Sequence, residues 1–177
     1  MNSTTDAELV TRLNAGDASA FAALYERHKD WTFRIALRFC ENSTDAAEIV
    51  QEVFLRWLRQ FPGFQPRARL TTYLYAAARN IALDRRRRDK RLRFKADWSE
   101  PDQPTVRVPE AVGDSDTQSL RAALAKLPDG HREVLLMRIV DDMSVDEVAQ
   151  SLGVAQGTVK SRLARALEQL RQLMADP

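Results

Sequence analysis

The chain has 177 residues, room for one or two domains, and its 44% hydrophobic and 29% charged residues argue for real cores in a water-exposed protein. A net charge of +2 is too small to make the whole chain a nucleic-acid sponge, so the local distribution of charge matters more than its sum. One cysteine (Cys40, read as a small buried hydrophobe), two distant histidines, and the lack of a long apolar run, signal peptide, phosphate loop or nucleophile elbow exclude a disulfide scaffold, a zinc site and a membrane span; they predict a cytoplasmic non-enzyme without cofactor or metal.

Val/Ile/Thr alternation never persists and glycine is sparse, so the expected fold class is all-α. A first helix is predicted over about 6–14, broken at Gly16-Asp17, and a second over about 19–40 with Phe21, Leu24, Tyr25, Trp31, Ile35 and Phe39 apolar. The third follows Asn42-Ser43-Thr44, with Asp45 and Glu48 as a capping box, and runs to about Gln60. Its core stripe is Ala46, Ile49, Val50, Val53, Phe54, Trp57 and Leu58. Glu48, Gln51, Glu52, Leu55 and Arg59 make the opposite face, which fits either a solvated surface or a protein-docking face with Leu55 as its apolar member.

Phe61-Pro62-Gly63-Phe64-Gln65-Pro66 reads as a loop. The fourth helix spans about 71–88 or further, with Leu74, Ala77, Ala78 and Ile81 on one side and Thr72, Ala76, Arg79, Asn80, Leu83, Arg86 and Arg87 on the other. Between Arg79 and Lys95 nine Lys/Arg face only Asp84 and Asp89, a local balance of +7. Such a run neutralises phosphates with counterion release, or merely solubilises. Phe61, Phe64, Tyr73 and Tyr75 lie beside it, where aromatic rings either stack on unpaired bases or fill a core.

Residues 96–116 read as an acidic, proline-containing flexible linker without a core of its own, in which Glu100, Asp102, Glu110, Asp114 and Asp116 meet only Arg107. Fully extended, it reaches roughly 70 Å. This makes residues 1–95 one helical domain and 117–177 a second. In the second, a helix through Leu120–Leu127, then Pro128 and a helix through Val134, Leu135, Met137 and Val140, should pack against the helices nearer the C-terminus. Ser144-Val145-Asp146-Glu147 is a capping box, and Gly153 suits a turn with positive φ. The last helix starts near Gln156, with the stripe Val159, Leu163, Ala166, Leu167, Leu170 and Leu173. A short helix, a tight Gly turn and a longer basic helix make a helix-turn-helix, whose second helix enters a major groove N-terminus first. Its candidate readers are Gln156, Thr158, Lys160, Ser161 and Arg165, with Arg162 at the edge for phosphate.

From end to end the chain resembles the compact extracytoplasmic-function (ECF) group of bacterial sigma factors, which consist of sigma domains 2 and 4. The N-terminal half is similar through Gly16-Asp17 with Ala20-Phe21, through Asp45-Ala46-Ala47-Glu48-Ile49-Val50-Gln51-Glu52-Val53-Phe54, and through Tyr73-Leu74-Tyr75, Ala78-Arg79-Asn80 and Asp84. The C-terminal half is similar through Leu127-Pro128, Arg132-Glu133-Val134-Leu135-Leu136, Glu147-Val148-Ala149, Leu152-Gly153 and the run Gly157–Ala166.

The resemblance implies docking of core RNA polymerase at the β′ clamp helices through Glu48, Gln51, Glu52 and Leu55, with the β flap as a second contact. It implies minus-ten recognition by Phe64, Arg79, Asn80, Leu83, Arg86 and Arg87, on promoter DNA both as duplex and as melted single strand. Melting costs roughly 1.4 kcal/mol per stacked step, partly recovered by capture of a flipped base. The last helix would read the minus-thirty-five element and the acidic linker would thread the polymerase's RNA channel. Only Ala175-Asp176-Pro177 come after that helix, so regulation is expected from a separate anti-sigma factor that holds the protein in check, sequestered at the membrane. Three positions depart from the family pattern. Tyr73 stands for the usual Trp, Ala155 for a capping Ser or Pro, and Gln156 for the common Glu, which shifts preference from cytosine amines toward bidentate contact with adenine. The rival from another class is a free-standing helix-turn-helix regulator, which predicts a symmetric two-half-site footprint without polymerase.

Overall fold

The computed structural model describes residues 4–65, 68–93, 106–108 and 115–175. Among them are eight α-helices and no strand, so the all-α expectation holds: α1 (Asp6–Asn14), α2 (Ala18–Leu37), α3 (Ser43–Leu58), α4 (Leu70–Arg93), α5 (Ser115–Lys126), α6 (Asp129–Ile139), α7 (Val145–Leu152) and α8 (Gln156–Ala175). The chain divides into two compact units, Met1–Arg86 and Arg87–Pro177, with the division in the last turns of α4. Lys90, Arg91, Arg93 and Lys95 of the predicted basic run lie outside the residues whose side chains are described.

In the first unit, helices begin where a side chain supplies the acceptor that first-turn N–H groups lack. Thr5 and Glu8 form a capping box on α1. Asp17 caps α2 by accepting from the Ser19 backbone N–H at 3.0 Å, and Gly16, at φ +91°, turns the chain into it. Hydrogen bonds from Ser19 and Arg12 hold the Asp17 carboxyl down to about 2. Asn42 caps α3 by accepting from the Asp45 N–H at 2.8 Å. The expected Asp45–Glu48 capping box is therefore wrong: the helix starts earlier, at Ser43, and Glu48 is left for another partner. α2 also stops at Leu37, short of the predicted Cys40, although Phe39 and Cys40 are still buried.

Leu24, Ile35, Ala46, Ile49, Val53, Phe54, Trp57, Leu74, Tyr75, Ala78 and Ile81 form the buried interior of this unit. Each fully buried large apolar side chain contributes about 1.5–3 kcal/mol, against about 0–1 kcal/mol for an exposed ion pair. Leu58, placed in the core stripe by the sequence, is 37% exposed. At about 100° per residue it lies roughly a quarter turn beyond the stripe centred on Val53 and Trp57.

The second unit packs α8 against α5, α6 and α7. Leu127, Leu135 and Ala166 form a core cluster, with Leu124, Leu163, Leu170 and Leu173 packed on it. Two expected core residues are exposed instead, Leu167 at 43% and Val140 at 61%. Leu167 sits at the rim of the α8 stripe, and Val140 comes just after the end of α6, where the helix no longer aims it inward. The centre of the unit is polar as well as apolar. The buried guanidinium of Arg132 donates to the carbonyls of Leu124 at 2.7 Å, Ala125 at 2.6 Å and Leu127 at 2.6 Å, which terminate α5, and to Asp129 at 2.9 Å. It also donates to the Val106 carbonyl, while the Val106 N–H donates to Asp129 Oδ1 at 3.1 Å. Val106 is fully buried, so the predicted linker is not free throughout: residues 106–108 are anchored to the second unit. The other linker residues that carry the acidic charge lie outside the described side chains.

Candidate nucleic-acid interface and docking face

The outer face of α3 is built by the same periodicity that builds its core. Gln51 and Leu55 are exposed, Leu55 by 54%, on the side of the helix opposite Val53 and Trp57. Leu58, one turn after Leu55, extends the apolar strip, a contribution the sequence reading missed because it assigned Leu58 inward. Glu48 and Glu52 border this strip and are not bare carboxylates. Arg85 of α4 donates to Glu48 Oε2 at 2.8 Å and to Glu52 Oε2 at 2.9 Å, while Arg56 donates to Glu52 Oε1 at 2.5 Å. Partial burial pushes the Glu52 carboxyl up, but the bonds from Arg85 and Arg56 outweigh it and hold the group below the usual glutamate range. Burial likewise opposes the charge on Arg85, and its bonds to Glu52 and Glu48 raise it above its ordinary value. The face is thus apolar at its centre and charge-balanced at its edge.

The loop after α3 is held from two sides. The Asn14 side chain accepts from the Gly63 N–H and donates to the Phe64 carbonyl, both at 2.8 Å. Phe64 packs edge-on to Trp57 at 5.8 Å and to Tyr73 at 5.6 Å, and lies 5.4 Å from Phe61. Tyr73 accepts from Gln60 Nε2 at 2.5 Å, and burial pushes its hydroxyl up. Phe64 is therefore half-buried, part of an aromatic cluster that also presents it at the surface. Tyr75, by contrast, is wholly core.

On α4, Asn80 and Arg87 are exposed and Arg79 and Arg86 half-buried, along one side of the helix. Leu83, expected among the DNA-facing residues, is a correction: it is 7% exposed, and Thr72, expected on the same face, is 5% exposed. α4 also buries a side roughly a third of a turn from Ala78, which withdraws both residues from solvent.

In the second unit the predicted helix-turn-helix is present. Ser144 and Glu147 form the capping box of α7, and Gly153 closes it at φ +65°, where an L side chain is strained. α8 then exposes Gln156, Lys160, Ser161 and Arg165 on the side away from Val159 and Ala166. Thr158 is half-buried, and the Ser161 hydroxyl donates to its carbonyl at 3.0 Å. Arg162 is half-buried with its guanidinium over Gly130, where a Cβ would meet Nη1 at 3.7 Å. Gln156 donates from Nε2 to Asp146 Oδ1 at 3.0 Å, a contact no periodicity argument reveals. His131 pairs its Nδ1 with Gln169 Oε1 at 3.0 Å and ties α6 to α8. Among the described residues no group of His, Cys, Asp and Glu is placed to hold a metal ion, and no helix is long and apolar enough to cross a membrane.

Residues 24–92 match the family model for sigma-70 region 2, and residues 117–170 match that for sigma-70 region 4. An ECF RNA polymerase sigma factor of Mycobacterium tuberculosis, SigM, is 33% identical over 171 residues, 96% of this chain and 85% of that protein. The solved structure of CnrH in complex with the cytosolic domain of CnrY is similar at 28% identity and a TM-score of 0.67, covering 97% of this chain and 99% of that one. The sigma factor RpoE of Bartonella quintana, solved with the anti-sigma factor NepR, shares the fold at 22% identity and a TM-score of 0.66, over 88% of this chain and 97% of that one. With both sigma regions matched in order and a helix-turn-helix in the second unit, the chain belongs to the ECF RNA polymerase sigma factors.

Proposed function

We propose that α3 docks the β′ clamp helices of core RNA polymerase through Gln51, Leu55 and Leu58, with Glu48 and Glu52 at the edge. The observation that carries this reading is the exposed apolar strip on a helix whose other face is wholly core. A free-standing dimeric regulator would use such a face to pair with a second copy, so affinity for core polymerase separates the two readings. Asn80, with Phe64 at the loop, captures an unstacked base of the minus-ten element, and Arg79, Arg86 and Arg87 contact its backbone. α8 reads the minus-thirty-five element with Gln156, Lys160, Ser161 and Arg165, while Thr158 and Arg162 lie at its edges for phosphate. Residues 96–116 join the two domains, 1–95 and 117–177, and lie in the RNA channel up to the anchor at Val106. The chemistry of nucleotide addition belongs to the polymerase, and this chain supplies the promoter address from the cytoplasm.

An anti-sigma factor regulates the protein by covering these faces. Sigma factors of the same fold have been solved with such partners, which supports this part of the reading. The test of the docking assignment is core-polymerase affinity. Gln51→Ala with Leu55→Asp, both at exposed positions, should weaken binding at least about tenfold, with helix content and thermal midpoint unchanged. Unaltered affinity would remove α3 from the interface.

A further inference from the structure

Gln156 opens α8, and its amide nitrogen donates to Asp146 Oδ1 at 3.0 Å. Asp146 belongs to the first turn of α7, and its other oxygen accepts from Gln150 Nε2 at 2.6 Å. Both Asp146 and Gln156 are exposed. An ionised carboxylate offers only acceptor sites, so the NH2 end of the glutamine amide must be the end that faces Asp146. The consequence lies at the other end of the same amide. With one N–H committed, Gln156 presents outward its carbonyl oxygen beside a single remaining N–H, one acceptor next to one donor.

That pair is the complement of one base edge in the major groove. Adenine shows a donor at N6 and an acceptor at N7, whereas guanine shows two acceptors, O6 and N7. An unrestrained glutamine can turn its amide to bring both N–H groups toward guanine. One held by Asp146 does so only by giving up a charge-assisted hydrogen bond. Asp146 also places a negative charge near the phosphate backbone, which lowers affinity for every duplex alike.

We propose that Asp146 is a specificity-determining residue: by holding the Gln156 amide, it commits the leading position of the reading helix to adenine and against guanine. The inference rests on α8 being the helix that reads the minus-thirty-five element. Asp146 acts through Gln156 and is a positioning residue.

The test is transcription by reconstituted holoenzyme on promoters in which each minus-thirty-five base pair is varied singly. Gln156→Ala identifies the base pair concerned as the one whose preference it flattens. There the wild-type protein should favour adenine over guanine by about fivefold or more, the lower end of what a bidentate base contact discriminates. Asp146→Ala should lower that ratio about twofold or more without abolishing it, since a free glutamine amide keeps its own preference for adenine. Asp146→Asn, which retains an acceptor oxygen but not the charge, should lower it less. Activity on the guanine promoter should hold or rise, and preferences at the other base pairs should not move. If Asp146 only supported α7, both variants would weaken every promoter equally, lower the thermal midpoint and keep the ratio; that result overturns the proposal. If Gln156→Ala changes preference at no base pair, the assignment of Gln156 as a reader is what fails, and the proposal falls with it.

Discussion

Arg132 illustrates how much one side chain can organise, and how little of that is visible in a sequence. Its guanidinium supplies donors to the carbonyls of Leu124, Ala125, Leu127 and Val106 and to the Asp129 carboxylate. Truncation to alanine leaves those acceptors without their donors in a buried site. Arg132→Ala should therefore cost on the order of 3 kcal/mol in stability, read from denaturant unfolding of the whole chain. Arg132→Lys should recover only a minority of the loss, since an ammonium cannot span the same fork of acceptors. The sequence marked Arg132 only as part of a family motif, and the reason for it is three-dimensional. The same holds for Asn14, whose amide clamps a loop 49 and 50 residues away. Periodicity assigns faces to helices, and it is silent on which polar side chain reaches which distant backbone group.

At the scale of elements, the helices were legible because capping residues and the 3.6 period agree. The exceptions sit at the rims of stripes. Leu58 and Leu167 fit the apolar pattern but lie too far round the helix to be covered, and Val140 lies beyond the end of its helix. Leu83 failed in the opposite direction, because α4 is buried on two sides and a one-face reading cannot anticipate the second. The link between α3 and α4 was equally hidden, since Glu48 and Glu52 precede Arg85 by 37 and 33 residues. That link carries a pH dependence. Glu52 has its carboxyl held below the ordinary value of 4.5, so the bridge contributes stability that is fully present above 4.5 and is lost as pH falls through the lowered value. The Glu52 carboxyl resonance tracked by NMR should titrate below 4.5 in the wild-type protein. It should move upward in Arg85→Gln, where Arg56 alone is left to offset the burial of the carboxylate. An unchanged midpoint in that variant would show that Arg85 does not set the charge state of Glu52.

For the molecule as a whole, the proposed function divides the labour between the two units. The first exposes an apolar strip on α3 and polar and basic residues on α4, and the second carries a basic helix, α8, whose leading glutamine is hydrogen-bonded to Asp146. Each offers few base contacts, so the account predicts weak promoter binding by the free protein and strong, specific binding once both units are seated on polymerase. Val106 is anchored to the second unit, at a place that composition alone read as tether throughout. The most direct measurement is run-off transcription with bacterial core polymerase, the purified chain and a pool of genomic promoters. The account predicts specific transcripts that disappear when Gln51→Ala and Leu55→Asp are combined. No transcripts, together with tight polymerase-independent binding to a palindromic duplex, would contradict it.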